Sequence, residues 1–135
     1  MTRAARIALV AVATVVLLTG CATGPGDAAR ESIAERSYRG LPGQAAVGPA
    51  EQPLVTPLGG NRFALTLWGS SSCPRIPTAI TTDGTHVLVQ LAESGGEVCT
   101  ADMAAMTHEL LSPVPPPFTV TVEFDGIRSE VGTVG

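Results

Sequence analysis

Two β-hairpin signatures in the second half of the chain leave it few folds to adopt. In each, alternating or β-branched apolar residues flank an Asp-Gly dipeptide: Thr78 to Leu91 surround Asp83-Gly84, and Phe118 to Val131 surround Asp125-Gly126. Asp-Gly suits the positive-φ positions of a tight hairpin turn. Alternation places one side of each strand against a core. The two signatures therefore predict antiparallel β-structure.

The remainder of residues 61–135 continues the same pattern. Arg62 to Trp68 alternates as a strand does, and Glu97 to Leu111 has room for one or two strands with a turn or single helical turn near Asp102 to Ala105. The run Pro113 to Pro117 predicts an extended crossover between two parts of the sheet, or a ligand for an aromatic groove. About six or seven strands in all predict an all-β fold, a small antiparallel sandwich or barrel.

The first 21 residues carry a targeting pattern. Met1 to Arg6 has two arginines and no acid, and the uncharged apolar run Ile7 to Leu18 is too short to span a bilayer as a mature helix. It fits the apolar region of a secretory signal. Leu18-Thr19-Gly20-Cys21 resembles the bacterial lipobox, which implies cleavage before Cys21 and lipid on its sulfur. Residues 1–20 are accordingly predicted to be a cleaved signal helix.

Residues 21–60 have the composition of a linker. Glycine and proline recur throughout this segment with little apolar periodicity. It is predicted to be the lipid anchor and a flexible, disordered tether with a reach of about 34 Å; Ala28 to Arg39 could form a transient helix. The predicted organisation is therefore a signal peptide at 1–20, a tether at 21–60 and a β-domain at 61–135.

Three cysteines are present, and lipidation of Cys21 leaves an even pair, Cys73 and Cys99. The compartment beyond the membrane permits disulfides. A domain of about 75 residues is marginally stable because it buries only about 60% of its unfolded surface. The sequence therefore predicts a Cys73–Cys99 disulfide that staples the β-domain.

Charge and composition exclude several function classes. The formal net charge is -4, and without residues 1–20 six arginines remain against twelve carboxylates, so nucleic acid is not an expected partner. The chain has no lysine. Schiff-base, Ser-Lys and P-loop chemistry are thereby excluded, and no motif predicts a cofactor or a metal.

Two segments carry a further resemblance. The WGSSSCP sequence from Trp68 to Pro74, followed by Pro77, and the CTAD sequence from Cys99 to Asp102 resemble those of small, uncharacterised actinobacterial-type lipoproteins. The resemblance implies the same architecture and a paired WGSSSCP…CTAD cysteine couple, but no activity. Ala104-Ala105 departs from the proline-containing turn expected there.

Candidate functional residues gather around these segments. Trp68, Ser70, Ser71, Ser72 and Asp102 are the candidate ligand-binding residues. A hydrolase would use a serine of this set with His86 or His108 as base and Asp102 as acid, although no G-x-S-x-G elbow is present. Packing in the core is the expected role of Trp68.

Beside this hydrolase hypothesis, two further function classes are open. The favoured one is a non-catalytic binding or structural module, held on the outer face of the cell membrane through lipid on Cys21. Its partner would be an envelope protein or a wall polymer. The alternative is an envelope copper or redox protein, in which soft ligands would come from Cys73, Cys99, Met103, Met106 and His108.

Overall fold

A computed structural model describes residues 30–43 and 52–135, and all regular structure in them is β-strand. The eight strands are β1 (Arg36–Arg39), β2 (Leu54–Gly59), β3 (Arg62–Gly69), β4 (Arg75–Asp83), β5 (His86–Glu93), β6 (Ala104–Leu111), β7 (Phe118–Phe124) and β8 (Ile127–Val134). They form two four-stranded sheets, ordered β1-β6-β3-β2 and β4-β5-β7-β8. The all-β sandwich predicted from the sequence is confirmed.

One strand pair departs from the antiparallel prediction. β5 and β7 run parallel, with Val87 opposite Val120 and Val89 opposite Val122, while every other pair is antiparallel. The proline segment is the reason, because it carries the chain from the end of β6 in the first sheet to the start of β7 in the second. β7 therefore begins beside the start of β5. The predicted crossover role of this segment is confirmed, and the Pro116–Pro117 bond is cis.

The β-domain begins earlier than residue 61. β1 pairs with β6 and β2 pairs with β3, although both strands lie in the range predicted to be tether. The prediction of a transient helix over Ala28 to Arg39 was also wrong within the described residues, because β1 occupies its last four positions. β1 and β2 are short edge strands that contain polar residues or proline, and this composition resembles that of a linker. Residues 1–29 and 44–51, including the predicted signal helix and Cys21, lie outside the described residues.

The core fills the space between the sheets. Alternate residues of β3 supply Phe63, Leu65 and Leu67, all at most 3% exposed. Phe63 meets Phe118 of the second sheet edge to face, with ring centroids 5.6 Å apart. Leu110 of β6 lies beside them in the first sheet, and the second sheet contributes the facing residues Val87, Val89, Leu91, Val120, Val122 and Val134. This burial is the main stabilising contribution to the domain.

The hairpin turns follow the predicted chemistry with one shift. Asp125 and Gly126 both have positive φ, 50° and 77°, between the paired residues Phe124 and Ile127. This agrees with the Asp-Gly prediction. In the first hairpin Asp83 is still paired, opposite His86, so the turn is made by Gly84 and Thr85.

The strand directions define two ends of the sandwich. The end that holds residues 70–74, 94–103 and 125–126 is called the disulfide pole. The opposite end, called the turn pole, holds residues 60–61, 84–85 and 112–117. Residues 33–35 close one side between the sheets, where Ile33 N donates to Pro77 O and Glu35 N to Glu109 O.

Candidate functional site

The predicted disulfide is present and ties two loops together. Cys73 and Cys99 are bonded, with their Cα atoms 5.4 Å apart. Cys73 follows β3 and is 4% exposed, whereas Cys99 lies in the loop from β5 to β6. The bond therefore joins the loop between β3 and β4 to the loop between β5 and β6 at the disulfide pole.

The predicted serines lie beside this bond in a hydroxyl cluster, made of Ser70, Ser71, Ser72, Thr100 and Asp102. The Thr100 hydroxyl lies 3.0 Å from that of Ser70 and 3.2 Å from that of Ser72. Thr100 N donates to the Ser72 hydroxyl at 2.8 Å. The cluster thus holds the loop after β3 against the loop after β5, and Thr100 is a member that the sequence analysis missed.

Asp102 anchors the cluster electrostatically. Its carboxylate accepts hydrogen bonds from Ser71 N at 3.0 Å and from the Thr100 hydroxyl. These bonds from Ser71 and Thr100 hold the pKa of Asp102 well below its usual range. The carboxylate is consequently ionised and already engaged by its own loops.

Neither histidine reaches the serines. His86 begins β5 at the turn pole, opposite Asp83. His108 is fully buried in β6, where its Nδ1 lies 2.8 Å from the Ser37 hydroxyl and its Nε2 lies 3.0 Å from Arg75 O. The structure therefore does not assemble the serine, histidine and aspartate of the hydrolase hypothesis.

The environment of His108 fixes its charge state. Arg75 O can only accept, so Nε2 carries a proton, and when the imidazole is neutral the Ser37 hydroxyl donates to Nδ1. Burial lowers the pKa of His108, opposed by its hydrogen bond to Arg75 O. A neutral imidazole thus bridges β6 of the first sheet to β4 of the second.

The copper hypothesis loses its ligands to other partners. The sulfurs of Cys73 and Cys99 are bonded to each other, and both nitrogens of His108 face protein atoms. Met103, the loop residue that precedes β6, is exposed, whereas Met106 lies half-buried on the inner side of β6. Within residues 30–43 and 52–135 no three His, Cys, Asp or Glu side chains gather in a group that could hold a metal ion.

Trp68 is placed for packing. It lies on the outer side of β3, opposite Ala105, and is 9% exposed. So little of its surface is accessible that it offers no broad face on which a ligand could stack. Of the predicted ligand-binding residues, the structure brings together the three serines and Asp102.

A concavity on the second sheet was not predicted. It measures about 240 Å³ and lies on the outer side of the second sheet near the turn pole. Its lining residues are Thr81, Thr82, Asp83, His86, Val87, Leu88, Thr121 and Arg128. Strand alternation places most of these side chains outward, but only the pairing of β4, β5, β7 and β8 brings them together.

No protein-family model matches the chain, and no curated protein or solved structure is significantly similar to it. The described part of the chain contains no helix with the length and apolar character needed to cross a membrane.

Proposed function

We propose that the protein is an extracytoplasmic lipoprotein, anchored to the outer face of the cell membrane through lipid on Cys21, whose β-sandwich is a non-catalytic binding or structural module. The observation that carries this proposal is the Cys73–Cys99 disulfide. Disulfides persist in oxidising compartments. The pairing of Cys73 with Cys99 also leaves Cys21, at the end of the lipobox-like sequence, as the third cysteine.

The state of the polar residues supports a binding module over an enzyme. Hydroxyl groups of the cluster bond one another, and Asp102 is engaged by Ser71 and Thr100. A nucleophilic serine needs a base within hydrogen-bond reach, and the two histidines lie elsewhere. The cluster's role in this proposal is to stiffen the loops.

The concavity on the second sheet is the surface proposed to contact the partner. Asp83, His86 and Arg128 supply acceptors and donors there, and the hydroxyls of Thr81 and Thr121 add further ones. Such a polar lining suits an envelope protein or a hydroxyl-rich wall polymer. Copper or redox handling is the weaker alternative, since it would require reduction of the disulfide.

The anchor is tested by comparing wild type with Cys21→Ser in a bacterial host that processes lipoproteins. Wild-type protein should fractionate with membranes and incorporate labelled fatty acid. Cys21→Ser should take up no label, and should appear in the medium or remain unprocessed. The matched control is the double variant C73S/C99S, which should keep both label and membrane association. Unchanged labelling and retention of Cys21→Ser would contradict the proposal.

A further inference from the structure

The four edges of the two sheets differ in how well they are protected against pairing with another strand. β1 has only four residues, and β2 contains Pro57. On β4, Pro77 precedes a bulge, and its carbonyl oxygen accepts a hydrogen bond from Ile33 N. Short length, proline, bulges and a covering segment are means by which proteins block sheet edges. β8 has eight residues and no proline, so it is the least protected of the four described edges.

The free part of β8 is its first half, whose residues are all exposed: Ile127, Arg128, Ser129 and Glu130. The regular pairing with β7 then shifts at Val131, which has no partner in β7. Beyond it β2 lies close, since a Cβ at Gly132 would lie 4.0 Å from Val55 Cβ. Within the described ranges no backbone group outside β7 bonds to residues 127–130. Another strand can therefore add along this first half.

The hairpin turn fixes which backbone groups point out of this edge. Phe124 and Ile127 close a two-residue turn with two positive φ angles, and such closing residues form a hydrogen-bonded pair. Bonding alternates along antiparallel strands, so Ser129 also bonds to β7. The N–H and C=O groups of Arg128 and Glu130 consequently face away from β7, where a second strand can reach them.

The sequence of this edge is complementary to itself when it is read in the opposite direction. From Ile127 to Val131 it is apolar, cationic, hydroxyl-bearing, anionic and apolar. In an antiparallel pair centred on Ser129, Arg128 lies opposite Glu130 of a second copy. The outward N–H and C=O groups of these two residues meet in the same register, as two hydrogen-bonded pairs. Opposite charges across such a pair stabilise it, and like charges destabilise it.

The side chains at the ends of this register also fit. Ile127 is 72% exposed in the single chain. In the register centred on Ser129 it lies opposite Val131 of the second copy, so two apolar side chains cover each other. Only Nε of the Arg128 guanidinium bonds to Glu123, which leaves its other donors for a carboxylate of the second copy.

From these observations we infer that β8 is a dimerisation edge, to which the first half of β8 from a second copy adds in antiparallel register about Ser129. Two four-stranded sheets would then join edge to edge, with their outer concavities on one continuous face. Such a two-fold interface is closed, because it occupies the β8 edge of both copies. The inference goes beyond the proposed function and does not depend on the lipid anchor.

The test is disulfide cross-linking of the full chain in intact host cells. Ser129→Cys places a thiol at the centre of the register, where the Cα atoms of the two copies lie about 4.5 Å apart in a non-hydrogen-bonded pair. Thr133→Cys is the matched control, because it is exposed on the same strand but its two copies would lie about 27 Å apart. Mild oxidation should give several-fold more reducible dimer with Ser129→Cys than with Thr133→Cys, and none with wild type.

The charged side chains test the register itself. Adding either R128E or E130R to Ser129→Cys opposes like charges in both pairs, and should lower the dimer fraction several-fold. Adding both should restore the dimer, because the charges are complementary again in the reverse order. Position 128 of this double swap still carries a carboxylate beside Glu123, so its recovery has to come from contact between copies. Thermal unfolding of each variant checks that the domain stays folded.

The outcomes separate this inference from the lipid anchor. Equal cross-linking of Ser129→Cys and Thr133→Cys would overturn the dimer, as would a product that is not twice the mass of the chain, since another protein would then pair with β8. Single charge substitutions without effect, or no recovery in the double swap, would overturn the register. Cross-linking of wild type would show a free thiol on Cys21 and contradict the anchor. The same comparison in a Cys21→Ser background would then decide the dimer.

Discussion

The two poles of the sandwich are closed in different ways. At the turn pole, two of the three connections are two-residue turns, and Asn61 and Ser112 bind each other, through Asn61 Nδ2 to Ser112 O at 2.7 Å and Ser112 N to Asn61 O at 2.8 Å. At the disulfide pole, two of the three connections are longer loops, residues 70–74 and 94–103, and these loops are joined by one covalent bond and a hydroxyl cluster. Short turns and backbone hydrogen bonds thus close one end, while a covalent cross-link between two long loops closes the other.

This difference predicts that the disulfide pole is the more vulnerable end to substitution. A disulfide that closes a long loop restricts the unfolded chain strongly. Removing it should therefore lower the free energy of unfolding more than removing one hydrogen bond does. Four experiments test the contrast, in order of decreasing expected effect.

The largest effect should come from the double variant C73S/C99S. The disulfide closes a loop of about 27 residues, and on the loop-entropy relation its loss lowers the free energy of unfolding by about 3.5 kcal/mol. Thermal unfolding followed by circular dichroism should show a melting temperature lower by roughly 15–25 °C. Ser112→Ala at the turn pole, which loses the hydroxyl bonds with Val114, is the matched comparison and should cost only about 1–2 kcal/mol. Equal losses would contradict the contrast between the poles.

Gly95→Ala should produce the next largest effect. Gly95 has a φ of 116°, and a Cβ there would lie 2.4 Å from Ser72 O and 3.1 Å from Cys73 Sγ. Strain and steric overlap together should lower the free energy of unfolding by about 2–3 kcal/mol in chemical denaturation. Gly96→Ala is the control, because a Cβ at position 96 meets nothing within 4 Å. Indistinguishable denaturation midpoints for the two variants would show that the loops at this pole are not closely packed.

A smaller, pH-dependent effect should come from His108. Its pKa is lowered in the folded state, so the unfolded chain binds a proton first as the pH falls below about 6.5. Stability contributed by neutral His108 is therefore present above that pH and lost below it, by at most about 1.4 kcal/mol per pH unit. Denaturation at successive pH values should show His108→Gln with a shallower fall than wild type. A fall of His108→Gln parallel to that of wild type would exclude His108 as the cause.

The smallest effect should come from Asp102→Asn. The folded pKa of Asp102 is lowered, so its ionised form stabilises the fold above the unfolded pKa near 3.8, and that contribution is lost as the pH falls. Wild type should be slightly more stable than Asp102→Asn at neutral pH, and the two should converge in acid. A stability difference between wild type and Asp102→Asn that stays constant down to acid pH would mean that the charge of Asp102 contributes nothing to stability.

Much of the fold could be predicted because it depends on local patterns. Alternation and Asp-Gly turns identify β3, β4, β5, β7 and β8, and assigning Cys21 to lipid leaves Cys73 and Cys99 as the predicted disulfide pair. β1 could not be predicted, since Arg36, Ser37, Tyr38 and Arg39 carry no apolar stripe, and the strand forms only because the edge of β6 is available to it. β2 could not be predicted for a different reason: Val55 packs against the core, but Pro57 and the neighbouring glycines and prolines give the segment the composition of a linker.

The site was predictable only in part, for a related reason. Sequence proximity to Cys73 singles out Ser70, Ser71 and Ser72. It does not show that Thr100 joins their hydroxyl groups or that a Cβ at Gly95 would clash with Ser72. The exposure of Val98 and Ile127 is equally a property of the assembled pole, because apolar residues in a β-rich sequence are otherwise expected in the core.

The intact mass of membrane-extracted protein tests the central claim most directly, with alkylation before and after reduction and a metal assay on the same sample. The account predicts a mass that starts at Cys21 and includes bound lipid, two cysteines that alkylate only after reduction, and no stoichiometric metal. An unmodified Cys21 would contradict the lipid anchor. Freely alkylated Cys73 and Cys99, or a copurified metal, would contradict the disulfide-stapled binding module and favour copper or redox handling.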